Sequence, residues 1–137
     1  MSARGKARKR ALDVLYEADL RGVPALDVLE AKGHDSEQTL NPYTAELVRG
    51  VVAHQARIDD LLATYSQGWS LARMPAVDRN VLRLGVYELL WAHDVPAAVA
   101  ISEAVELVKS LSTDESPAFV NGLLARILEV LPRLAVE

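Results

Sequence analysis

Between its prolines and glycines the chain carries apolar residues at i, i+3, i+4 and i+7. No segment alternates apolar and polar residues with the period of two that a half-buried strand needs. That spacing selects helices. Leu12, Leu15, Tyr16 and Leu20 put one stripe on a helix over residues 7–20, limited upstream by Gly5 and closed by Arg21-Gly22. Asn41-Pro42 reads as the N-cap and first residue of helical spacing that runs for more than twenty residues through Leu47, Val51, Ile58, Leu61, Leu62 and Tyr65, as one long helix or two nearly collinear ones. Pro75, at a first helical position, opens the next helix, and Gly85 within it marks a close helix crossing, because glycine there costs about 1 kcal/mol against alanine. Ile101, Ala104, Val105 and Val108 repeat the pattern, and Ser116-Pro117 caps and starts a last helix that Pro132 stops. The segment between Gly22 and Asn41 is polar and reads as a loop with at most one short turn. The fold class is all-α, a compact bundle of about six or seven helices.

A chain of 137 residues suits a single domain, residues 1–137, with a basic N-terminal arm over residues 1–10. Without cysteine it has no thiolate nucleophile, disulfide or thiolate-bound zinc, and it suits a cytoplasmic address. The longest apolar stretches, such as Ala97 to Ile101, are far too short to span a bilayer. His34, His54 and His93 fall on separate elements with no partner at metal-ligand spacing. Asp59-Asp60 and Asp114-Glu115 are neighbours that a helix would aim about 100° apart, so neither pair presents two carboxylates to one substrate. The glycines are too scattered for a phosphate loop. These absences favour a binding protein with no catalytic residues, metal or cofactor.

The net charge of −4 hides an asymmetry. Arg4, Lys6, Arg8, Lys9 and Arg10 give the first ten residues +5, and the remainder carries −9. Such an arm either seeks a polyanion or is a solvated terminus. Here it runs without a breaker into the first amphipathic helix, where Leu12, Leu15 and Tyr16 dock on the core and aim the charges. Five contacts to the phosphates of a single strand would give a salt slope near −3.5, from about −0.7 per contact. Removing residues 1–10 should abolish binding and leave helical content nearly intact. A single-stranded ligand also needs rings on which bases can stack, and Tyr16, Tyr65 and Phe119 are the candidates. The places of the two tyrosines on apolar stripes fit core packing equally well, whereas Phe119 follows a polar loop and is the more available ring.

Three segments carry a family resemblance: Lys6-Ala-Arg-Lys-Arg-Ala-Leu-Asp-Val-Leu-Tyr16, Asp78-Arg-Asn-Val-Leu-Arg-Leu-Gly-Val-Tyr-Glu-Leu-Leu90, and Asp94 to Lys109 followed by Asp114 to Leu124. Together they resemble the NusB family of bacterial transcription antitermination factors over nearly the whole chain, the most specific stretch being Phe119-Val-Asn-Gly122 with its upstream Ile-x-Glu-Ala helix. The resemblance implies an all-helical protein that binds the boxA element of nascent RNA, chiefly from ribosomal RNA operons, together with the ribosomal protein NusE in the transcription elongation complex. It also implies an RNA surface of Arg4, Lys6, Arg8, Lys9, Arg10, Tyr16, Tyr65, Glu115 and Phe119, and a protein-partner contact at Arg83 and Glu88. Two departures count against parts of that surface. Ala118 stands where many members have a lysine, and Leu111 where an aromatic is common. Related domains occur fused to RNA methyltransferases, whereas this chain ends at Glu137 with no such module, which implies a standalone adaptor. Two rival readings are a helical protein–protein adaptor or homodimeric scaffold without specific RNA binding, and an enzyme whose site is assembled only by folding.

Overall fold

The computed structural model describes residues 2–35 and 41–134. Its first helix, α1 (Ala3–Arg21), begins upstream of Gly5 and so corrects the expectation that this glycine limits it. The cause is local. Ser2 occupies the N-cap, and its hydroxyl accepts the Gly5 N–H at 2.9 Å, satisfying a donor that the first turn leaves without a partner. Gly5, Ala7 and Ala11 are buried, so small residues let α1 lie close to its neighbours. At the far end Gly22 turns left-handed (φ 66°), and its N–H and that of Val23 both return to the Ala18 carbonyl. Leu12 and Leu15 are buried as expected. Tyr16 and Leu20 are 36% and 60% exposed, and Val14 and Ala18 complete the inner face instead.

A second helix, α2 (Ala25–Asp35), replaces the expected loop after Gly22. It is anchored by only two adjacent core residues, Val28 and Leu29, too short a pattern to declare a period. The remainder of that polar segment, residues 36–40, lies outside the described residues. Next comes α3 (Pro42–Tyr65), capped as its sequence predicts by the Asn41 side chain, which accepts the Tyr43 N–H at 2.9 Å. A 3-10 turn (Leu71–Arg73) leads to α4 (Ala76–Trp91), with Pro75 one residue ahead of the helix rather than inside it. The last two helices are α5 (Ala97–Leu111) and α6 (Ser116–Leu134). The last helix runs past Pro132, which removes only one amide donor and does so in the final turn.

The hub is α4, which packs against α1, α3, α5 and α6. Two glycines permit its close approaches. A Cβ at Gly85 would lie 2.8 Å from Leu124 Cδ1, which confirms a tight crossing there, and a Cβ at Gly50 on α3 would overlap the Tyr87 ring. Polar ties fix the helices along their length. Asp19 near the end of α1 accepts from Arg79 Nε and Asn80 Nδ2, both at 2.9 Å, while Arg79 also donates to the Leu71 and Met74 carbonyls. Asp78, buried in the first turn of α4, accepts from the hydroxyls of Ser112 at 2.6 Å and Ser116 at 2.8 Å. Ser116, expected to cap α6, is thus the residue that fastens the α5–α6 connection to α4.

Helix propensity and packing make opposite predictions at Gly50. Alanine there should raise stability by about 1 kcal/mol if propensity decides. Overpacking against Tyr87 costs about 1–3 kcal/mol. The rigid ring decides the sign, so Gly50→Ala should lower the urea midpoint.

Acid should act through Asp19. Burial would raise its carboxyl, but Arg79, Asn80 and Arg83 hold it below the ordinary aspartate value. A carboxyl depressed by folding adds stability that is complete above its unfolded pKa of about 3.9 and is lost as pH falls through the lower, folded value. Asp19→Asn should therefore be less stable than the parent at pH 6, with the gap narrowing as pH falls below about 4 in denaturation curves.

Candidate nucleic-acid interface

The basic arm makes up about the first two turns of α1, and the helix sorts its charges by face. Residues at i and i+4 share a face, so Arg4 and Arg8 form one row and Lys6 and Arg10 another, centred about 160° away. Arg8 points inward. It is 4% exposed and its Nε donates to both carboxylate oxygens of Glu88, at 2.9 and 3.1 Å, with Glu88 itself 3% exposed. Tyr43, at the start of α3, donates its hydroxyl to the same carboxylate, and Glu103 of α5 lies 3.8 Å from Arg8 Nη1. Four helices thus meet at one buried charge cluster.

The protonation states follow from this packing. Burial, and then the Glu88 carboxylate, push the Tyr43 hydroxyl well above the ordinary tyrosine value, so it remains a donor. Burial alone would lower the Arg8 guanidinium, but the hydrogen bond and charge of Glu88 outweigh it and raise Arg8. Arg4 reaches the rim of the cluster. Its guanidinium sits 4.3 Å from the Tyr43 ring centre and 2.7 Å from Asp94, holding that exposed carboxyl below the usual range.

The structure therefore divides the five expected cations. Arg8 is corrected from an RNA contact to an interior ion pair, because removing either partner would strand a buried charge. Lys6 is exposed, and Lys9 and Arg10 are half-buried along their stems. Lys9 bonds Asp13 at 2.7 Å and Arg4 bonds Asp94, both solvent-exposed pairs of the kind that exchange readily for phosphate. Deleting residues 1–10 would also delete Arg8, so helical content would not survive as expected from sequence.

The two residues expected at a protein contact differ in burial. Glu88 is interior, and Arg83 is held by Asp59 in a two-pronged pair at 2.9 and 3.1 Å with Asp19 at 3.4 Å. The aromatic candidates separate too. Tyr16 stands exposed on α1, Tyr65 is half-buried at the end of α3, where its carbonyl accepts from Arg126, and Phe119 lies on the first turns of α6.

Phe119 and the exposed Glu115 line an apolar cleft of about 500 Å³ whose other wall carries Trp69 and Arg73. Trp69 is 53% exposed, with its ring centre 6.1 Å from that of Phe119. This cleft is at the Asp78 end of α4, whereas the Arg8 cluster is at the Glu88 end. Ten residues at 1.5 Å each set the two about 15 Å apart along the helix. Sequence reasoning missed Tyr43, Trp69 and Arg73. Trp69 offered a signal, as a large ring in a turn next to Gly68, where core packing is a poor explanation.

Breaking the buried pair should be costly, and replacing both partners should not. Arg8→Ala should lose about 3–5 kcal/mol in chemical denaturation, whereas Arg8→Met combined with Glu88→Leu should recover most of that loss. Additive losses in the double variant would show that the two side chains are independent.

Comparison with known proteins places these features in a family. The sequence pattern of the NusB family matches residues 5–129. A transcription antitermination protein NusB from a Nocardioides species is 65% identical, covering 98% of this chain and 100% of its own length. One from an Arthrobacter species is 61% identical, covering 98% of each. Among solved structures, NusB of T. maritima superposes with a TM-score of 0.84 at 35% identity, covering 94% of this chain and 92% of that one. The NusB chain of a crystal structure of antitermination factors NusB and NusE in complex with double-stranded RNA gives a TM-score of 0.83 at 31% identity, covering 95% and 98%. Full-length identity and shared helical architecture agree: the chain belongs to the NusB family.

Proposed function

We propose that this protein is a transcription antitermination factor that acts by binding rather than by catalysis. In this reading it grips a boxA-type single-stranded element in nascent transcripts, mainly ribosomal RNA, together with NusE, within the cytoplasmic elongation complex. The family supplies the setting, since a structural relative was crystallised with NusE and RNA. That complex holds double-stranded RNA. Preference for a single strand rests here on exposed rings, which unpaired bases can reach and stacked pairs cannot.

One observation carries the reading. Arg8 is fixed in the interior, and its burial leaves Lys6, Lys9 and Arg10 along the outside of the same turns, with Arg4 at the edge. The RNA surface proposed is Arg4, Lys6, Lys9 and Arg10, continuing to Tyr16, Tyr65, Glu115 and Phe119. The body is acidic, so attraction for a polyanion is strongest at this end.

A helical adaptor or homodimeric scaffold is the second reading. It draws on Leu20 and Leu26, 60% and 43% exposed, which leave apolar surface available to another protein chain. RNA separates the two. In a gel shift with a boxA-type RNA and a scrambled control, measured with and without purified NusE, an adaptor without RNA specificity binds both sequences alike or neither. The proposed factor should prefer the boxA-type RNA. Its affinity should fall with a log–log salt slope of about −2.8, because four outward cations and not five meet phosphate at about −0.7 each. Replacing Lys6 and Arg10 together by Gln should reduce that slope by about half and leave the circular dichroism spectrum unchanged.

A further inference from the structure

We propose that Asp94 stands in for an RNA phosphate: it holds the Arg4 guanidinium in the free protein, gives it up when a strand arrives, and so limits the affinity of the basic arm. This rests on the RNA-binding reading above and adds to it a residue that opposes binding rather than one that makes a contact.

Asp94 has no task in the interior. Its side chain is 64% exposed, and its carboxylate accepts an N–H from Arg4 Nη2 at 2.7 Å, across 90 residues of sequence. The turn that carries it is nonetheless firmly built. Ala92 and Val95 are buried on either side, the Val95 N–H returns to the Ala92 carbonyl at 2.9 Å, and Pro96 restricts the backbone that follows. The fold thus places one carboxylate at the foot of the basic arm. Arg4 holds that carboxyl below the usual aspartate range, so it is ionised near neutral pH.

Two groups hold Arg4, and they behave differently when a phosphate comes. The guanidinium lies over the Tyr43 ring, 4.3 Å from its centre, and the ring is itself fixed, with its hydroxyl bonded to Glu88 and the Arg8 guanidinium 5.7 Å from its centre. Stacking uses the face of the guanidinium. Its edge remains open, where N–H groups side by side can meet two phosphate oxygens together. Asp94 occupies part of that edge. Two anions there would repel each other, and an exposed ion pair is weak enough to lose the competition with a strand of phosphates. The ring keeps the guanidinium in place throughout, and the carboxylate is the group that leaves.

Asp94→Asn should bind the boxA-type RNA about two- to fivefold more tightly than the parent in a gel shift, with the salt slope and the urea midpoint little changed. Glu46→Gln removes the same charge from an exposed position on α3 and should leave affinity within about 1.5-fold of the parent, because salt screens a charge that is not in contact. In an Arg4→Gln background the gain from Asp94→Asn should disappear, since the two side chains act as one pair. If Asp94→Asn, shown folded by circular dichroism, binds no more tightly than the parent, or if its gain is matched by Glu46→Gln or survives without Arg4, the role of Asp94 is overturned and the cationic surface stands. If the unaltered protein binds no RNA, both proposals fall.

Discussion

A carboxylate buried at the centre of a bundle must be matched, and matching Glu88 organises much of this protein. Arg8 comes from α1, Tyr43 from α3, Glu88 from α4, and Glu103 on α5 is near enough to add its charge. An unmatched carboxylate there would be very costly, so the helices have little freedom to slide or rotate relative to one another. Attraction between buried charges seldom exceeds the cost of removing them from water. The pair therefore contributes more to a defined arrangement than to net stability. The neighbouring contact from Thr44 Oγ1 to the Ala7 carbonyl, at 3.1 Å, fixes the same junction from the backbone side.

Fixing Arg8 also fixes what faces away from it. With 3.6 residues per turn, orienting one residue orients its neighbours, so one interior contact gives direction to Lys6, Lys9 and Arg10. A disordered basic tail of the same composition would carry the same net charge but would have to lose conformational freedom whenever it bound. The arm here is ordered before any ligand arrives. The arrangement has a local cost, since cations and no acids occupy the first turns, where the helix dipole disfavours them. An arriving phosphate would reverse that term.

Much of this was legible in the sequence, and the failures share a cause. Helical period, the Asn41 cap, the Gly22 terminus and the Gly85 crossing are signals held within a few residues, and the structure has them in place. The helix over Ala25–Asp35 escaped notice because two buried neighbours, Val28 and Leu29, show no period. Sequence alone groups Arg8 with the other cations because its partner lies 80 residues away, and nothing in a run of basic residues marks which one turns inward. The partners of Glu88 and Arg83 are likewise remote in sequence, at Arg8 and Asp59. The pairing of Trp69 with Phe119 is likewise a product of folding, as it joins the turn before α4 to the start of α6.

The two ends of α4 each hold a buried carboxylate, and each is matched by groups from other helices. At the Glu88 end the partners are the Arg8 guanidinium of α1 and the Tyr43 hydroxyl of α3. At the Asp78 end they are two hydroxyls, from Ser112 and Ser116 at the α5–α6 connection. Both carboxylates are almost fully buried, so losing a partner at either end would leave an uncompensated charge. Ten residues at 1.5 Å each separate the two ties by about 15 Å. A helix held at two points that far apart can neither slide nor rotate alone, so the hub fixes where α1 and α6 stand relative to each other as well as to itself.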